Sequence, residues 1–177
     1  MEGEYSAGDF NTFASSRRST RDFLPRPVPD EVIEEIIAAG LTSPSWSNTR
    51  PFVLAVAKGE VRDRLSAEFL SRFELVKSGQ GEGIFGKVKA LIRRKGLPTS
   101  NWLVLKRYHK DLLPRSRRIG RELYKHMGID RDDKEARDGF WARNYEFFGA
   151  PVELFLFTHK SLGKFAASDA GLFMQNL

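Results

Sequence analysis

The sequence predicts a single globular domain that combines α-helices with two buried β-strands. At 177 residues the chain has the length of one ordinary domain. Its 41% hydrophobic residues, including 14 phenylalanines, are sufficient for a core. Apolar residues recur with helical spacing in several segments and run continuously in two short ones. The chain contains no cysteine, which excludes disulfides, thiolate nucleophiles and cysteine-ligated metals.

The first clearly bounded helix is predicted over residues 27–40, PVPDEVIEEIIAAG. Pro29 suits the first helical turn, and the acidic Asp30 and Glu31 suit the positive end of the helix dipole. Gly40 is predicted to occupy the left-handed position that often follows the last turn. The apolar face of this helix is predicted to contain Val32, Ile33, Ile36 and Ile37.

Two short apolar runs predict buried strands, Phe52 to Ala57 and Val152 to Phe157. Helical spacing returns in residues 60–76, after the first strand, and in residues 164–177, after the second. The last helix reaches the end of the sequence without a C-cap or a helix-breaking residue. Its buried face is predicted to contain Phe165, Ala166, Ala170 and Phe173.

The net charge of +6 comes from one segment of the chain. Residues 87–121 contain 12 Lys or Arg and a single acid, Asp111, whereas the remaining residues balance to −5. This segment lies within residues 78–139, which we predict to be an elaborated insertion of helices and loops with a candidate helix over residues 114–129. A basic nucleic-acid-binding module centred on residues 87–121 is an alternative. Because no recognised nucleic-acid motif accompanies the charges, we expect a solvated insertion near the substrate face and no nucleic-acid partner.

Several familiar motifs are incomplete. The glycines of GEGIFG, residues 81–86, match the dinucleotide fingerprint, but no strand is predicted before them and no acidic residue follows roughly 20 positions on. A phosphate-binding P-loop would require a hydroxyl at Val88. The histidines have no partner at metal-ligand spacing, and no serine stands in a G-x-S-x-G context. We therefore predict neither a metal site nor a nucleophilic hydrolase.

Two other stretches are chemically more specific. In RRSTRDF, residues 17–23, an extended backbone would direct Arg17, Ser19 and Arg21 to the same side. Arginine binds phosphate through two parallel hydrogen bonds and keeps its charge, and a serine hydroxyl adds a short donor. SPSWSNTRPF, residues 43–52, places hydroxyls and an amide before a buried strand, where they can orient a polar ring system. Taken singly, these stretches could also be a solvated charge run and a plain connecting loop.

Together with PVPDEVIEEIIAAG, FFGAPVELFLF and DAGLFMQNL, these stretches resemble the nitroreductase family of flavin enzymes. The family pattern is R-R-S-x-R-x-F, then P-V-P before a helix, then A-P-S-x-x-N-x-Q-P-W at the first strand. The resemblance is dense over residues 13–57, good over residues 140–177 and loose between them. It implies a three-layer α+β fold, with a mainly antiparallel sheet flanked by helices, and a single FMN-binding domain over residues 1–177.

The resemblance also implies a homodimer that binds one FMN at each of two subunit interfaces. The positions that match the clamp around the FMN phosphate and ribityl chain are Arg17, Arg18, Ser19 and Arg21. The positions that match the loop meeting the flavin, usually from the partner subunit, are Pro44, Ser45, Trp46, Ser47 and Asn48. Arg50 stands where the family usually has a glutamine that bonds to the flavin, and Arg143 matches a flavin-contacting polar position.

The implied reaction is a ping-pong transfer of two electrons from NADH or NADPH, through FMN, to a small acceptor such as a nitroaromatic or a quinone. Another flavin reaction of the family, such as reductive dehalogenation, is an alternative. No side chain is predicted to act as a general acid, base or nucleophile. Family members continue with another strand and an arm around the other subunit, so this C-terminal part of the fold is expected to be absent from the chain.

The N-terminal residues 1–13 are acidic and lack the apolar stretch of a secretory signal. No apolar run approaches the length of a membrane span. From these observations we expect a cytoplasmic protein without a membrane partner.

Overall fold

The computed structural model describes residues 6–81 and 108–177. The helices in these residues are α1 (Ala7–Ser16), α2 (Asp30–Leu41), α3 (Gly59–Gly81), α4 (Leu113–His126), α5 (Lys134–Ala142) and α6 (Lys164–Asn176). The strands are β1 (Phe52–Lys58) and β2 (Val152–Thr158). Both predicted strands are confirmed, and each is one residue longer than the apolar run that predicted it.

The two strands pair antiparallel and have helices on both faces. Ala55 lies opposite Phe155 in the register, so these two side chains share one face, while Phe52 points to the other because side chains alternate along a strand. The Phe155 ring contacts Phe69 of α3 at a centroid distance of 6.2 Å, and the Phe52 ring contacts Phe173 of α6 at 4.7 Å. The order of layers is therefore α3, sheet, α6, which confirms the three-layer α+β fold. α2 also packs against α6.

The Gly40 prediction was wrong, because this residue lies inside α2 and the helix ends one residue later. The chain leaves α2 through Thr42, which has right-handed helical backbone angles. Gly40 is buried, and a Cβ built on it would lie 2.9 Å from the Phe173 ring and 2.9 Å from Leu177. The absence of a side chain thus permits the close contact between α2 and α6. Such a contact leaves no trace in the local sequence pattern.

The apolar face predicted for α2 is only half buried. Ile33 is 7% exposed and Ile37 is half-buried, whereas Val32 and Ile36 are exposed at 41% and 36%. The helix therefore turns a narrower stripe toward α6 than its sequence suggests. The remaining two side chains form an apolar surface on the outside of the described residues.

Substitution of Gly40 and of Gly139 by alanine is expected to change stability in opposite directions. Gly40→Ala should lower the free energy of unfolding by about 1–3 kcal/mol, because the methyl group would overpack the contact with Phe173. Gly139 lies in α5, where an added Cβ would meet no atom of the described residues within 4 Å, so Gly139→Ala should raise the same quantity by about 0.5–1 kcal/mol through helix propensity. Urea denaturation of both variants measures the effect. A stabilising Gly40→Ala would contradict the assigned helix contact.

Residues 108–142, which include most of the described part of the predicted insertion, form α4 and α5. α4 confirms the helix predicted over residues 114–129 but ends earlier, at His126. α5 begins after Asp133, whose carboxylate accepts the N–H of Ala136 at 2.9 Å. The two helices are joined by aromatic side chains: the Trp141 indole donates a 3.2 Å hydrogen bond to the Tyr124 hydroxyl. The predicted helical character of this part is therefore confirmed for residues 108–139.

The motifs that failed in the sequence fall at or beyond the end of α3. α3 runs to Gly81, so a helix and not a strand precedes the glycines of GEGIFG, as expected for an incomplete fingerprint. Residues 82–107, which include Val88 and the first part of the basic segment, lie outside the described residues. Within residues 6–81 and 108–177 no helix is long and apolar enough to cross a bilayer, and no group of acidic or histidine side chains is arranged to hold a metal ion.

Candidate functional site

The arginine segment, residues 17–23, leaves the end of α1 without helical or strand structure. Its first residue, Arg17, has extended backbone angles (φ −55°, ψ 130°). Arg17, Arg18, Ser19 and Arg21 are all exposed. Arg21 donates a 3.4 Å hydrogen bond to the backbone oxygen of Ser19. Among the described residues the three guanidinium groups form no ion pair, so their charge is available to an anion.

The start of the preceding helix is held by a capping box. The Ser6 backbone N–H and hydroxyl donate to the Asp9 carboxylate at 3.0 and 2.8 Å, and the Asp9 N–H donates to the Ser6 hydroxyl. The hydrogen bond from the Ser6 side chain, followed by that from its backbone, lowers the pKa of Asp9. The capping box therefore fixes the N-terminal end of α1, and the arginine segment follows the C-terminal end of the same helix.

The far end of the arginine segment is attached to the turn before β2. Arg143 Nη2 lies 2.7 Å from Asp22 Oδ1, and the Phe23 N–H donates to the Phe148 backbone oxygen at 3.2 Å. The Arg143 guanidinium also lies 6.0 Å from the centroid of the Phe148 ring. The structure thus brings Arg143 to the arginine segment, where it positions Asp22. Its direct contact with a flavin stays a prediction.

The polar loop, residues 43–50, contains three residues whose backbone conformation needs support from surrounding groups. Ser47, Asn48 and Arg50 have left-handed backbone angles, with φ of 51°, 53° and 45°. This region is costly for residues other than glycine unless the surroundings support it. One support is internal: the Ser45 hydroxyl accepts the N–H of Arg50 at 2.9 Å.

The other supports come from α6. The carboxylate of Asp169, which is 5% exposed, accepts the backbone N–H of Trp46 at 3.0 Å. The Ser43 hydroxyl, also 5% exposed, donates to the Leu172 backbone oxygen at 3.2 Å and accepts the Asn176 amide at 2.9 Å. Asp169 and Asn176 were not predicted as site residues. The one signal in the sequence was a carboxylate at position 169, on the same helical face as the apolar positions 166, 170 and 173.

One residue of the predicted buried face on α6 faces the polar loop instead. Ala166, Ala170 and Phe173 are buried as predicted, but Phe165 is 50% exposed. Its ring stacks on the Trp46 indole with a centroid distance of 4.2 Å and an interplanar angle of 29°. Trp46 is itself 53% exposed. The loop therefore presents an aromatic pair to the outside of the described residues.

Arg50 lines a separate surface cavity of about 530 Å³ at the start of β1. Phe52, Phe157 and His159 share this cavity with it. No hydrogen bond, ion pair or aromatic contact of the described residues joins the polar loop to the arginine segment. Within the described residues, the two predicted halves of the site therefore have no direct contact with each other.

Replacing Asp169 is expected to loosen the polar loop. Asp169→Ala leaves the Trp46 N–H without its acceptor, which should lower the free energy of unfolding by about 1–3 kcal/mol. Asp169→Asn keeps an acceptor oxygen and should lower the free energy of unfolding by less than Asp169→Ala does. Urea denaturation measures both, with Ser168→Ala as the control on the exposed side of the same helix. Equal stability of Asp169→Ala and the parent protein would show that this bond does not hold the loop.

The chain belongs to the nitroreductase family, whose family model matches residues 14–177. The 4-nitrobenzoate reductase of Pseudomonas putida is 32% identical over 169 residues, which are 96% of this chain and 66% of the relative. Nitroreductase NfnB of Mycolicibacterium smegmatis is 28% identical over 165 residues, which are 91% of this chain and 61% of the relative. A shorter match, to iodotyrosine deiodinase of Hydra vulgaris, is 42% identical over 55 residues, 31% of this chain and 20% of that protein.

Solved structures confirm the fold. The FMN- and NADPH-dependent nitroreductase NfnB from Sphigopyxis sp. strain HMH superposes with a TM-score of 0.72 at 28% identity, over 93% of this chain and 67% of that one. The FMN-dependent NfnB from Mycobacterium smegmatis, solved with NADPH, superposes with a TM-score of 0.68 at 26% identity, over 94% of this chain and 68% of that one. The chain thus spans about two thirds of the length of the relatives that it matches.

Proposed function

We propose that this chain binds FMN and, as a homodimer, transfers electrons from NADPH or NADH to a nitroaromatic or similar small acceptor. The observation that carries the proposal is the arginine segment: three exposed guanidinium groups beside a serine, fixed at one end by Arg143, with no ion pair among the described residues. This donor set suits a phosphate monoester. The family relationship supports FMN as the molecule that carries it.

Each part of the chain has a distinct task in this proposal. Arg17, Ser19 and Arg21 would bind the FMN phosphate, with Arg18 beside them, and the polar loop would orient the ring system. Asp169 keeps that loop in place from α6. When bound, FMN supplies the two-electron redox chemistry, and we propose a ping-pong order of donor and acceptor. The side chains bind and orient, and none is assigned a proton transfer.

The homodimer is supported by the apolar surface around the polar loop. Trp46 and Phe165 form an exposed stacked pair, and Leu172, two helical turns after Phe165 on the same side of α6, is 44% exposed. An apolar surface of this kind marks a protein–protein contact. The polar loop would then meet an FMN held by the arginine segment of the partner subunit.

Nitroaromatic reduction is favoured over reductive dehalogenation by the extent of the matches. The nitroaromatic-reducing relatives align with more than nine tenths of this chain, including the 4-nitrobenzoate reductase of Pseudomonas putida. The match to iodotyrosine deiodinase covers 31%. We therefore propose a nitroaromatic as the acceptor.

Purification tests the proposal directly. We expect a yellow protein that releases FMN on denaturation, identified by mass spectrometry, and that oxidises NADPH faster when 4-nitrobenzoate is added. Light scattering should give the mass of a dimer. Release of FAD, or no flavin after incubation with FMN, would contradict the proposed function.

A further inference from the structure

A second cationic site, formed by residues other than the arginine segment, lies between α4 and α5. The basic groove, as we call it, is a depression of about 700 Å³. Its lining includes Arg117, Arg121, Tyr124, Lys125, Arg131 and Arg137. Asp130 is the single carboxylate among the described residues that line it. Five cations thus surround one concave surface with one opposing charge.

These cations form no close ion pair with their neighbours within residues 6–77 and 108–177, although Arg137 interacts electrostatically with Asp138. Arg118 on the same helix does pair, with Glu122 at 3.8 Å, but it lies outside the groove. Bringing like charges together raises the electrostatic energy of the folded chain, and a bound anion would offset that cost. The groove therefore has the electrostatic character of an anion site.

The geometry of the groove suits a compact ligand that carries both phosphate and an aromatic ring. Arg117, Arg121 and Lys125 follow one another at four-residue intervals, so they form a row of about 12 Å along one side of α4. Arg131, between α4 and α5, and Arg137, in α5, complete the cationic lining. The half-buried Tyr124 forms part of the wall, and its position is fixed by the Trp141 hydrogen bond and by the Phe140 ring at a centroid distance of 6.1 Å.

The same helix links the groove to the arginine segment. Arg137 lines the groove, while Arg143, immediately after α5, pairs with Asp22. These two positions are separated by about 9 Å along the helix axis, at 1.5 Å per residue. A cation site for a second phosphorylated molecule would thus lie near the proposed FMN phosphate clamp and on the same rigid element.

We propose that the basic groove binds the adenosine 2′-phosphate end of NADPH and makes the chain prefer NADPH over NADH. This inference rests on the proposed function, since it assigns the donor of that reaction. Arginines supply forked hydrogen bonds to the phosphate monoester, and Tyr124 supplies an aromatic surface for the adenine. Because the cations surround one depression, the groove favours such a compact anion over a nucleic-acid strand.

Binding of oxidised dinucleotides to the oxidised, flavin-loaded protein tests the proposal without turnover. By calorimetry, the parent should bind NADP⁺ at least about 10-fold more tightly than NAD⁺, the effect of one charge-assisted hydrogen bond. Arg117→Ala/Arg121→Ala should remove this preference and leave NAD⁺ binding unchanged. Arg115→Ala/Arg118→Ala removes the same charge from α4 outside the groove and should keep the preference.

Three results would overturn the inference. The first is that the parent binds NADP⁺ and NAD⁺ with equal affinity. The second is that the two double variants lose NADP⁺ affinity to the same extent. The third is that labelled DNA binds tightly to the parent and that only the groove variant loses this binding. Flavin content of the same samples tests the proposed function separately. If FMN is absent, titration of adenosine 2′-monophosphate still decides on the groove: binding that only the groove variant loses supports it, and no binding refutes it.

Discussion

Arg17→Ala is expected to raise the dissociation constant for FMN roughly 10- to 150-fold, because a hydrogen bond to a charged group contributes about 1.5–3 kcal/mol. The guanidinium of Arg17 is exposed and has no ion pair among the described residues. The substitution therefore breaks no such ion pair, and the change in FMN affinity reports the bond to the phosphate. Reduction of the bound flavin by NADPH should change little, since the phosphate lies far from the reacting ring. Flavin-fluorescence titration of the apo-protein measures the affinity.

Two further variants separate charge from hydrogen-bond geometry. Arg17→Lys should recover only part of the loss, because an ammonium keeps the charge but not the planar fork. Arg26→Ala removes an exposed arginine of the same chain region that lies outside the segment, and it should bind FMN like the parent. The clamp would be refuted if Arg17→Ala, Ser19→Ala and Arg21→Ala all bound FMN with unchanged affinity.

Phe173→Ala is expected to lower the free energy of unfolding by about 3–5 kcal/mol, the range for truncating a buried phenylalanine. At 1% exposure Phe173 is the largest fully buried side chain of the described residues. Its ring contacts Phe52 of β1 and lies where a Cβ on Gly40 of α2 would stand. The truncation therefore leaves a cavity where the sheet, α2 and α6 meet.

Urea denaturation of Phe173→Ala, with the slope compared to that of the parent, measures this loss. Met174→Ala is the matched control, because the next residue of α6 is 58% exposed and should change stability by no more than about 0.5 kcal/mol. Comparable losses in the two variants would contradict the central place of Phe173. A large loss in Phe173→Ala alone should also weaken FMN binding, since α6 carries Asp169.

The sequence indicated candidate site residues where recognition depends on residue type and spacing. The arginine segment and the polar loop were located by their own side chains, and both have the exposed or loop conformations that such a role needs. What supports them was not accessible in this way. Asp22 meets Arg143 across 121 positions, and Trp46 meets Asp169 across 123, and neither pair has a local pattern that announces it.

The sequence by itself determined the two strands and most of the helices, because these depend on periodicity and composition within short windows. Its motifs indicated the family by resemblance. Tertiary structure alone decided the roles of three residues. Gly40 allows α2 to approach α6, Asp169 holds the polar loop from α6, and Phe165 stacks on Trp46 instead of entering the core. Each role is set by a contact between residues far apart in the chain, and burial and hydrogen bonding at such contacts become defined only when the layers pack.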